Sequence, residues 1–170
     1  MSYEKRMAAG KRHERRVAKS LCIRGWHVDF VGQSQLSDEA HTALESLRPK
    51  REVRWWPDLL AVKRRGESWL CLLVDAKTGR SDTPNYAIED DAIRAHRIFA
   101  DDFGLPVFYV FGDGRVASLG ALEGHGGTPG PRYGNGSDTP YSLYPKTIGR
   151  GFSEVFGDPV TVTVILEDAS

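Results

Sequence analysis

The sequence predicts an α/β fold in which helices pack on a mixed central sheet. Three stretches carry that prediction. Residues 68–77, SWLCLLVDAK, are apolar almost without alternation, the pattern of a strand covered on both faces. Residues 57–62, PDLLAV, precede them across the polar, glycine-bearing KRRGE, which reads as a hairpin loop and gives the central strand an antiparallel neighbour. A helix-patterned segment then leads into a second buried strand, LPVFYVF, and a helix between two buried strands implies a crossover and a parallel pair.

The remaining elements follow in order. In AGKRHERRVAKSLCIRGWHV, Val17, Ala18, Leu21 and Cys22 recur at helical spacing, and Gly25 is placed to stop the helix before a strand, WHVDFV. At about 100° per residue, Glu14 falls within the apolar stripe of this helix, whereas Arg12, Arg15, Arg16 and Lys19 fall away from it. Residues 33–56 read as an insertion, with Ser37 as N-cap of a short helix, DEAHTALESL, that ends by Pro49 and is followed by the basic RPKREVRWW. The crossover segment, NYAIEDDAIRAHRIFADDFG, reads as one helix from the spacing of Ala87, Ile88, Ala92, Ala95, Ile98 and Phe99, and it ends at Gly104. Residues 124–138 are rich in glycine and proline and read as a loop, and PVTVTVILED near the C-terminus reads as a strand. The domain reading is therefore a core over 1–123 carrying the insertion 33–56, a loop over 124–138, and a C-terminal extension over 139–170 packed on the core.

Composition narrows the class. At 170 residues, 40% hydrophobic and 27% charged, the chain suits one soluble globular domain. No apolar run approaches the roughly 18–20 residues that span a bilayer, and the first residues lack the apolar core of a secretory signal, so the expectation is a cytoplasmic protein with no membrane partner. Cys22 and Cys71 sit among apolar neighbours without metal-ligand spacing and read as small buried hydrophobes. The zero net charge conceals an asymmetry: residues 1–80 carry 17 Lys/Arg against 10 Asp/Glu, a net +7, and residues 81–170 carry six against 13, a net −7. A polyanion-facing side and a solvating side would produce such a split, as would two dispersed, solvated excesses.

The chemistry concentrates at the end of the central strand. Asp75 and Lys77 are two apart, so they share a face at about 6–7 Å. A charged pair at a buried sheet position costs several kcal/mol per ion unless something compensates, and a divalent cation would compensate the acid. Asp58, directly after Pro57, begins the neighbouring hairpin strand and can lie beside Asp75, while Glu14 adds an inward acid from the first helix. Mg²⁺ takes oxygen ligands and needs only one or two protein carboxylates, keeping water and phosphate in its shell. Such a site can polarise a water and offset charge on a leaving oxygen, with Lys77 orienting the water or stabilising the phosphoryl transition state. The alternatives are a salt bridge for Glu14 to Lys11 or a nearby arginine, and a surface position for Lys77. Asp29 is a rival acid whose alternation with Val28 and Phe30 suits a solvent-facing position. No HxxH-like pattern joins the histidines, of which His13 neighbours Glu14 and His96 lies on the crossover helix.

Pro57-Asp58 followed by Asp75-Ala76-Lys77 resembles the PD-(D/E)xK nuclease motif, and Glu14 matches the extra helix acid of many members. The element order also resembles the restriction-endonuclease-like αβββαβ core, over roughly residues 8–112. The resemblance implies that Asp58, Asp75 and the Ala76 carbonyl bind metal, with Glu14 as a further ligand, that Lys77 is catalytic, and that Mg²⁺ is the cofactor with Mn²⁺ able to substitute and no small-molecule cofactor. Arg12, Arg15, Arg16, Arg51 and Arg54 are the expected DNA contacts, joined by Arg80 and Tyr86, which lie where related nucleases approach the backbone. Trp55 and Trp56 read as core packing before base stacking. Gly10 to Glu14, GKRHE, is similar to the first helix of small archaeal-type Holliday-junction resolvases, which implies an endonuclease on branched DNA acting as a homodimer in recombination and repair. The alternatives are a sequence-reading restriction-like or repair endonuclease and an inactive nucleic-acid-binding subunit.

Overall fold

In the computed structural model, which describes residues 3–37, 39, 40, 55–78, 83–131 and 139–160, the first element is helix α1 (Tyr3–Cys22). Its buried stripe is His13, Glu14, Val17, Ala18 and Leu21, the recurrence of a single helix face. Burial of Val17 and Leu21, about 1.5–3 kcal/mol each, helps to offset the cost of drawing Glu14 inward. Cys22, expected inside, is exposed because one further residue rotates it by about 100° out of the stripe. Cys71 is only half-buried, since it lies toward the solvent end of its strand. Gly25 at φ 77° turns the chain into Trp26, whose indole N–H donates to the Phe156 carbonyl at 3.1 Å.

Strands β1 (His27–Phe30), β2 (Leu59–Arg65) and β3 (Ser68–Lys77) form an antiparallel meander, and β3 pairs in parallel with β5 (Val107–Phe111). The β2–β3 ladder runs to Arg65 opposite Ser68, so the loop is the two-residue turn Gly66-Glu67 and not the whole of KRRGE. Antiparallel β6 (Arg115–Ser118) and β9 (Arg150–Gly151) complete a six-stranded sheet in the order β1-β2-β3-β5-β6-β9. The sheet is mixed, as expected, and β3 lies inside it. Its two-sided cover is confined to the second half: Leu72 to Asp75 are buried, whereas Trp69 is 63% exposed.

The segment expected as one helix from Asn85 to Gly104 divides. Residues Asn85–Glu89 are strand β4, and α2 (Asp90–Phe103) begins only at Asp90. Tyr86 and Ile88 are buried while Ala87 is exposed, a period of two. The reason is a distant partner: β4 pairs antiparallel with β8 (Tyr141–Pro145), which also pairs with β7 (Thr128–Pro129) in a second, three-stranded sheet. The helices α3 (Leu119–His125) and α4 (Phe152–Phe156) and two short 3₁₀ turns, Gln33–Gln35 and Lys146–Ile148, complete the described elements. Residues 139–156 thus supply one strand to the small sheet and one to the edge of the large one. Ser37 Oγ accepts the Ala40 N–H at 3.2 Å, as an N-cap does. The rest of the expected insertion helix, and most of the expected C-terminal strand, lie outside the described residues.

Two apolar clusters flank the large sheet. Alternate residues of β3 and β5 divide between them, Leu73, Tyr109 and Phe111 toward Phe99 of α2, and Leu72, Val74 and Val110 toward Val17 and Leu21 of α1. Asp75 and Lys77 have the parity of Leu73. They therefore emerge on the α2 side, where the small sheet begins. Among the described residues no helix is long and apolar enough to cross a membrane.

Candidate active site

The site lies where β2 begins and β3 ends. Pairing of Leu59 with Val74 sets Asp58 across from Asp75. Asp58 Oδ2 accepts the Ala76 N–H at 2.8 Å, and its backbone carbonyl accepts the N–H groups of Val31 at 2.9 Å and Gly32 at 3.1 Å. A Cβ at residue 32 would fall 2.8 Å from Asp58 Cα and 3.1 Å from Oδ1, so glycine allows the turn after β1 to close on this acid. Asp58 is held by three strands' worth of backbone, which is what makes its carboxylate a fixed group.

Asp75 is 6% exposed, with Oδ1 3.3 Å from Lys77 Nζ and Oδ2 3.5 Å from His96 Nε2. Lys77 Nζ is also 3.2 Å from Glu89 Oε2, at the end of β4. Burial alone would favour the neutral amine, but Asp75, Glu89 and Asp58 outweigh it and hold the Lys77 pKa above its usual range. His96 is fully buried and its Nδ1 lies 2.7 Å from the Tyr109 hydroxyl, Tyr109 being paired with Asp75 in the β3–β5 register. Burial lowers the His96 pKa despite the adjacent Asp75, so the ring is neutral at physiological pH. A Tyr109 O–H donated to Nδ1 would leave the ring proton on Nε2, which lies 3.5 Å from Asp75 Oδ2 without a hydrogen-bond partner among the described residues.

The structure brings Glu14, Asp58, Asp75 and Lys77 into one locus and adds Glu89, His96 and Tyr109 to it. Glu14 is 8% exposed and close enough to act on the Asp58 carboxyl. Arg12, Arg15 and Arg16 face solvent on α1. Tyr86, expected as a DNA contact, is instead a core residue: it is 3% exposed, stacks on Phe111 at 3.5 Å, and donates its hydroxyl to Asp113 at 3.0 Å. Its side chain belongs to the buried parity of β4, which the helix reading concealed. Arg51, Arg54 and Arg80 lie outside the described residues. Lys63 is occupied by the Arg24 carbonyl at 2.7 Å. Asp29 is exposed. Trp56 packs edge-on against Phe99 at 4.6 Å yet remains 44% exposed, while Trp55 lies 5.8 Å from Lys77 Nζ. Glu89 was hidden within the segment read as a helix. His96 carried a signal of its own, a polar residue on the buried α2 stripe of Ala92, Ala95 and Phe99.

Among the described residues no three His, Cys, Asp or Glu side chains converge as a metal chelate. Asp58 and Asp75 stand opposite each other on neighbouring strands, and their charges act on one another. The Asp58 pKa is pushed up to about 8 by burial, then by the like charges of Asp75 and Glu14, against the lowering effect of the Ala76 N–H and Lys77. An added divalent charge would relieve that repulsion, and two oxygen donors suffice for Mg²⁺. The strain has a pH signature. Without metal, folded Asp58 retains a proton that the unfolded chain releases near 3.8, so the stability it contributes is complete below that value and is lost as pH rises toward about 8. In EDTA, Tm is therefore expected to fall across this window more steeply for the native protein than for Asp58→Asn. Mg²⁺ at pH 8 should raise Tm only where Asp58 is intact, and parallel profiles for the two proteins would refute the assignment.

No protein-family model matches the sequence, and no curated protein matches it. Among solved structures, the chain is similar to Archaeoglobus fulgidus Hjc, a Holliday junction resolvase from an archaeal hyperthermophile, at a TM-score of 0.51 and 16% identity over 89% of this chain and 98% of that one. A nuclease from a fusselovirus is also similar, at a TM-score of 0.48 and 14% identity over 86% of this chain and 89% of that one. The fold is accordingly restriction-endonuclease-like, with the mixed sheet shared with the resolvase.

Proposed function

We propose that this protein is a divalent-metal-dependent DNA endonuclease that hydrolyses phosphodiester bonds. The reading is carried by Asp58 and Asp75 on adjacent strand ends with Lys77 Nζ 3.3 Å from Asp75, in a fold shared with a resolvase. Asp58, Asp75 and the Ala76 carbonyl would hold the cation, with Glu14 beside them, and Mg²⁺ or Mn²⁺ would supply Lewis acidity at the phosphate. Lys77 stabilises negative charge on the phosphoryl oxygens and orients the attacking water. Arg12, Arg15 and Arg16 give α1 a positive outer face for the DNA backbone, which makes binding salt-sensitive and largely indifferent to sequence.

The finer reading is a resolvase-like preference for branched DNA and a homodimer whose two sites make paired nicks. Incubation with Mg²⁺ and a four-way junction, a flap, a linear duplex, single-stranded DNA and RNA, with the cuts mapped, tests both levels. Paired nicks near the branch and a dimer by light scattering on DNA are expected. Cuts that follow a short palindrome irrespective of branching would overturn the branch preference, and no cutting with either metal would overturn the nuclease reading.

His96 acts here as a positioning residue. It lies 3.5 Å from Asp75 Oδ2 and is fully buried, which keeps it from contact with a substrate. Losing a group that orients a metal ligand weakens metal binding by about 10–100-fold. His96→Phe, which keeps the volume, is therefore expected to raise the Mg²⁺ concentration for half-maximal thermal stabilisation by that factor. Saturating metal should recover most of the cutting rate. A merely structural histidine would lower Tm without moving the metal midpoint.

A further inference from the structure

We propose that the cleft beside Lys77 receives one unstacked nucleobase next to the cleaved phosphate, so that the substrate is DNA with an unpaired nucleotide at the cut. This deepens the nuclease reading and rests on it. The cleft has a volume of about 260 Å³ and is lined by Trp55, Ala87, Glu89, Thr139 and Tyr141. That is smaller than the ~300–1,000 Å³ of sites for drug-sized molecules, and it suits a single ring system. Two of its walls reach the catalytic lysine: Trp55 lies 5.8 Å from Lys77 Nζ and Glu89 Oε2 lies 3.2 Å from it. Whatever enters the cleft is therefore a neighbour of the group that Lys77 holds.

The walls are built in advance. The Tyr141 hydroxyl donates to the Pro131 carbonyl at 2.9 Å, and Gly130 lies so close beneath the ring that a Cβ there would come within 2.1 Å of it. The Lys77 ammonium lies over one face of the Trp55 ring. Aromatic walls of this kind stack on any base face. The Glu89 carboxylate repels an anion, so the phosphate belongs at Lys77 and the cleft takes an uncharged ring. A carboxylate only accepts hydrogen bonds, and every unpaired base offers it a donor, thymine through N3–H and the others through their amino groups. A base reaches such a cleft only by leaving its stack, and that step is least costly where the base is already unpaired, as at a branch, a flap or a frayed end. The cleft thus gives a single small domain a way to select DNA structure without reading a sequence.

The test uses branched and single-stranded oligonucleotides that each carry one abasic residue, moved stepwise through the cut site. Cleavage efficiency is measured in Mg²⁺ and affinity by fluorescence anisotropy in Ca²⁺, for the native protein, Trp55→Ala, Tyr141→Ala and Tyr141→Phe. In the native protein one position is expected to lose about tenfold when its base is removed, the scale of one stacked base. Trp55→Ala or Tyr141→Ala should lose about as much on intact DNA and then be indifferent to the abasic residue at that position, while Tyr141→Phe, which keeps the ring, should keep the sensitivity to the abasic residue. The two alanine variants lie on separate segments, so a folding defect in one leaves the other informative. Additive losses from mutation and abasic substitution would overturn the cleft while leaving the nuclease intact. Binding that shows the coupling without any cutting would overturn the nuclease and keep the cleft, and failure to bind any of these oligonucleotides would overturn both.

Discussion

Asp75→Ala is expected to abolish DNA cutting, lowering the single-turnover rate in Mg²⁺ by at least about 100–1,000-fold, the scale of losing one fixed electrostatic group at a reacting centre. The carboxylate is 6% exposed and its two oxygens face Lys77 and His96, so its position is set by the fold and not by solvent. The fold should survive its loss. Asp75 is the largest like charge acting on Asp58, and its removal lets Asp58 ionise more readily, while Lys77 keeps Glu89 and His96 keeps Tyr109. DNA affinity in EDTA should change little, because the exposed arginines of α1 are untouched. Asp29→Ala, which removes an exposed acid from β1, is the matched control and should cut normally. Full activity of Asp75→Ala, or of the native protein in EDTA, would exclude the proposed metal chemistry.

That prediction rests on residues whose neighbourhood could be read from local pattern. The apolar run from Leu70 to Val74 marks β3 and a hairpin makes β2 its neighbour, which brings Asp58 near Asp75. The register of Leu59 on Val74, in contrast, depends on the two-residue turn Gly66-Glu67 that the longer loop reading of KRRGE missed. Glu14 is legible for the same reason, because it shares the helical stripe of Val17 and Leu21. What else was not legible depends on partners far along the chain. Ala87 and Ile88 fit the periodicity of the helix that follows them, and only β8 makes Asn85–Glu89 a strand. With the strand came Glu89 as a partner of Lys77 and the inward turn of Tyr86, neither of which has a local signature. His96 stands out as a polar residue on a buried helical stripe, but that signal does not say what it meets. Its meaning comes from Tyr109 and Asp75, two residues paired across β3 and β5 that sequence spacing does not connect. Tertiary pairing decides strand identity where propensity is ambiguous, and the same pairing supplied the second layer of the site.

Lys77→Ala is expected to act on the chemical step and not on binding. The ammonium has three N–H donors and is ion-paired with Asp75 at 3.3 Å and Glu89 at 3.2 Å. It can turn a donor to a phosphoryl oxygen or the attacking water. The carboxylates keep the group charged, so it delivers a full positive charge at the point where negative charge develops. An interaction that strengthens in the transition state lowers the saturated rate when it is lost, whereas one made equally with bound substrate changes only affinity. The single-turnover rate of Lys77→Ala should therefore fall about 100–1,000-fold, with Kd changed by no more than a few-fold. Lys77→Arg should rescue little, because a planar fork cannot replace a compact ammonium seated between two carboxylates. Glu89→Gln should fall between the native protein and Lys77→Ala, since Asp75 still holds the lysine while the second anchor loses its charge. If Lys77→Ala instead weakened binding and left the saturated rate unchanged, Lys77 would be a backbone phosphate contact, and the charge at the reacting phosphate would have to come from the metal and the arginines of α1.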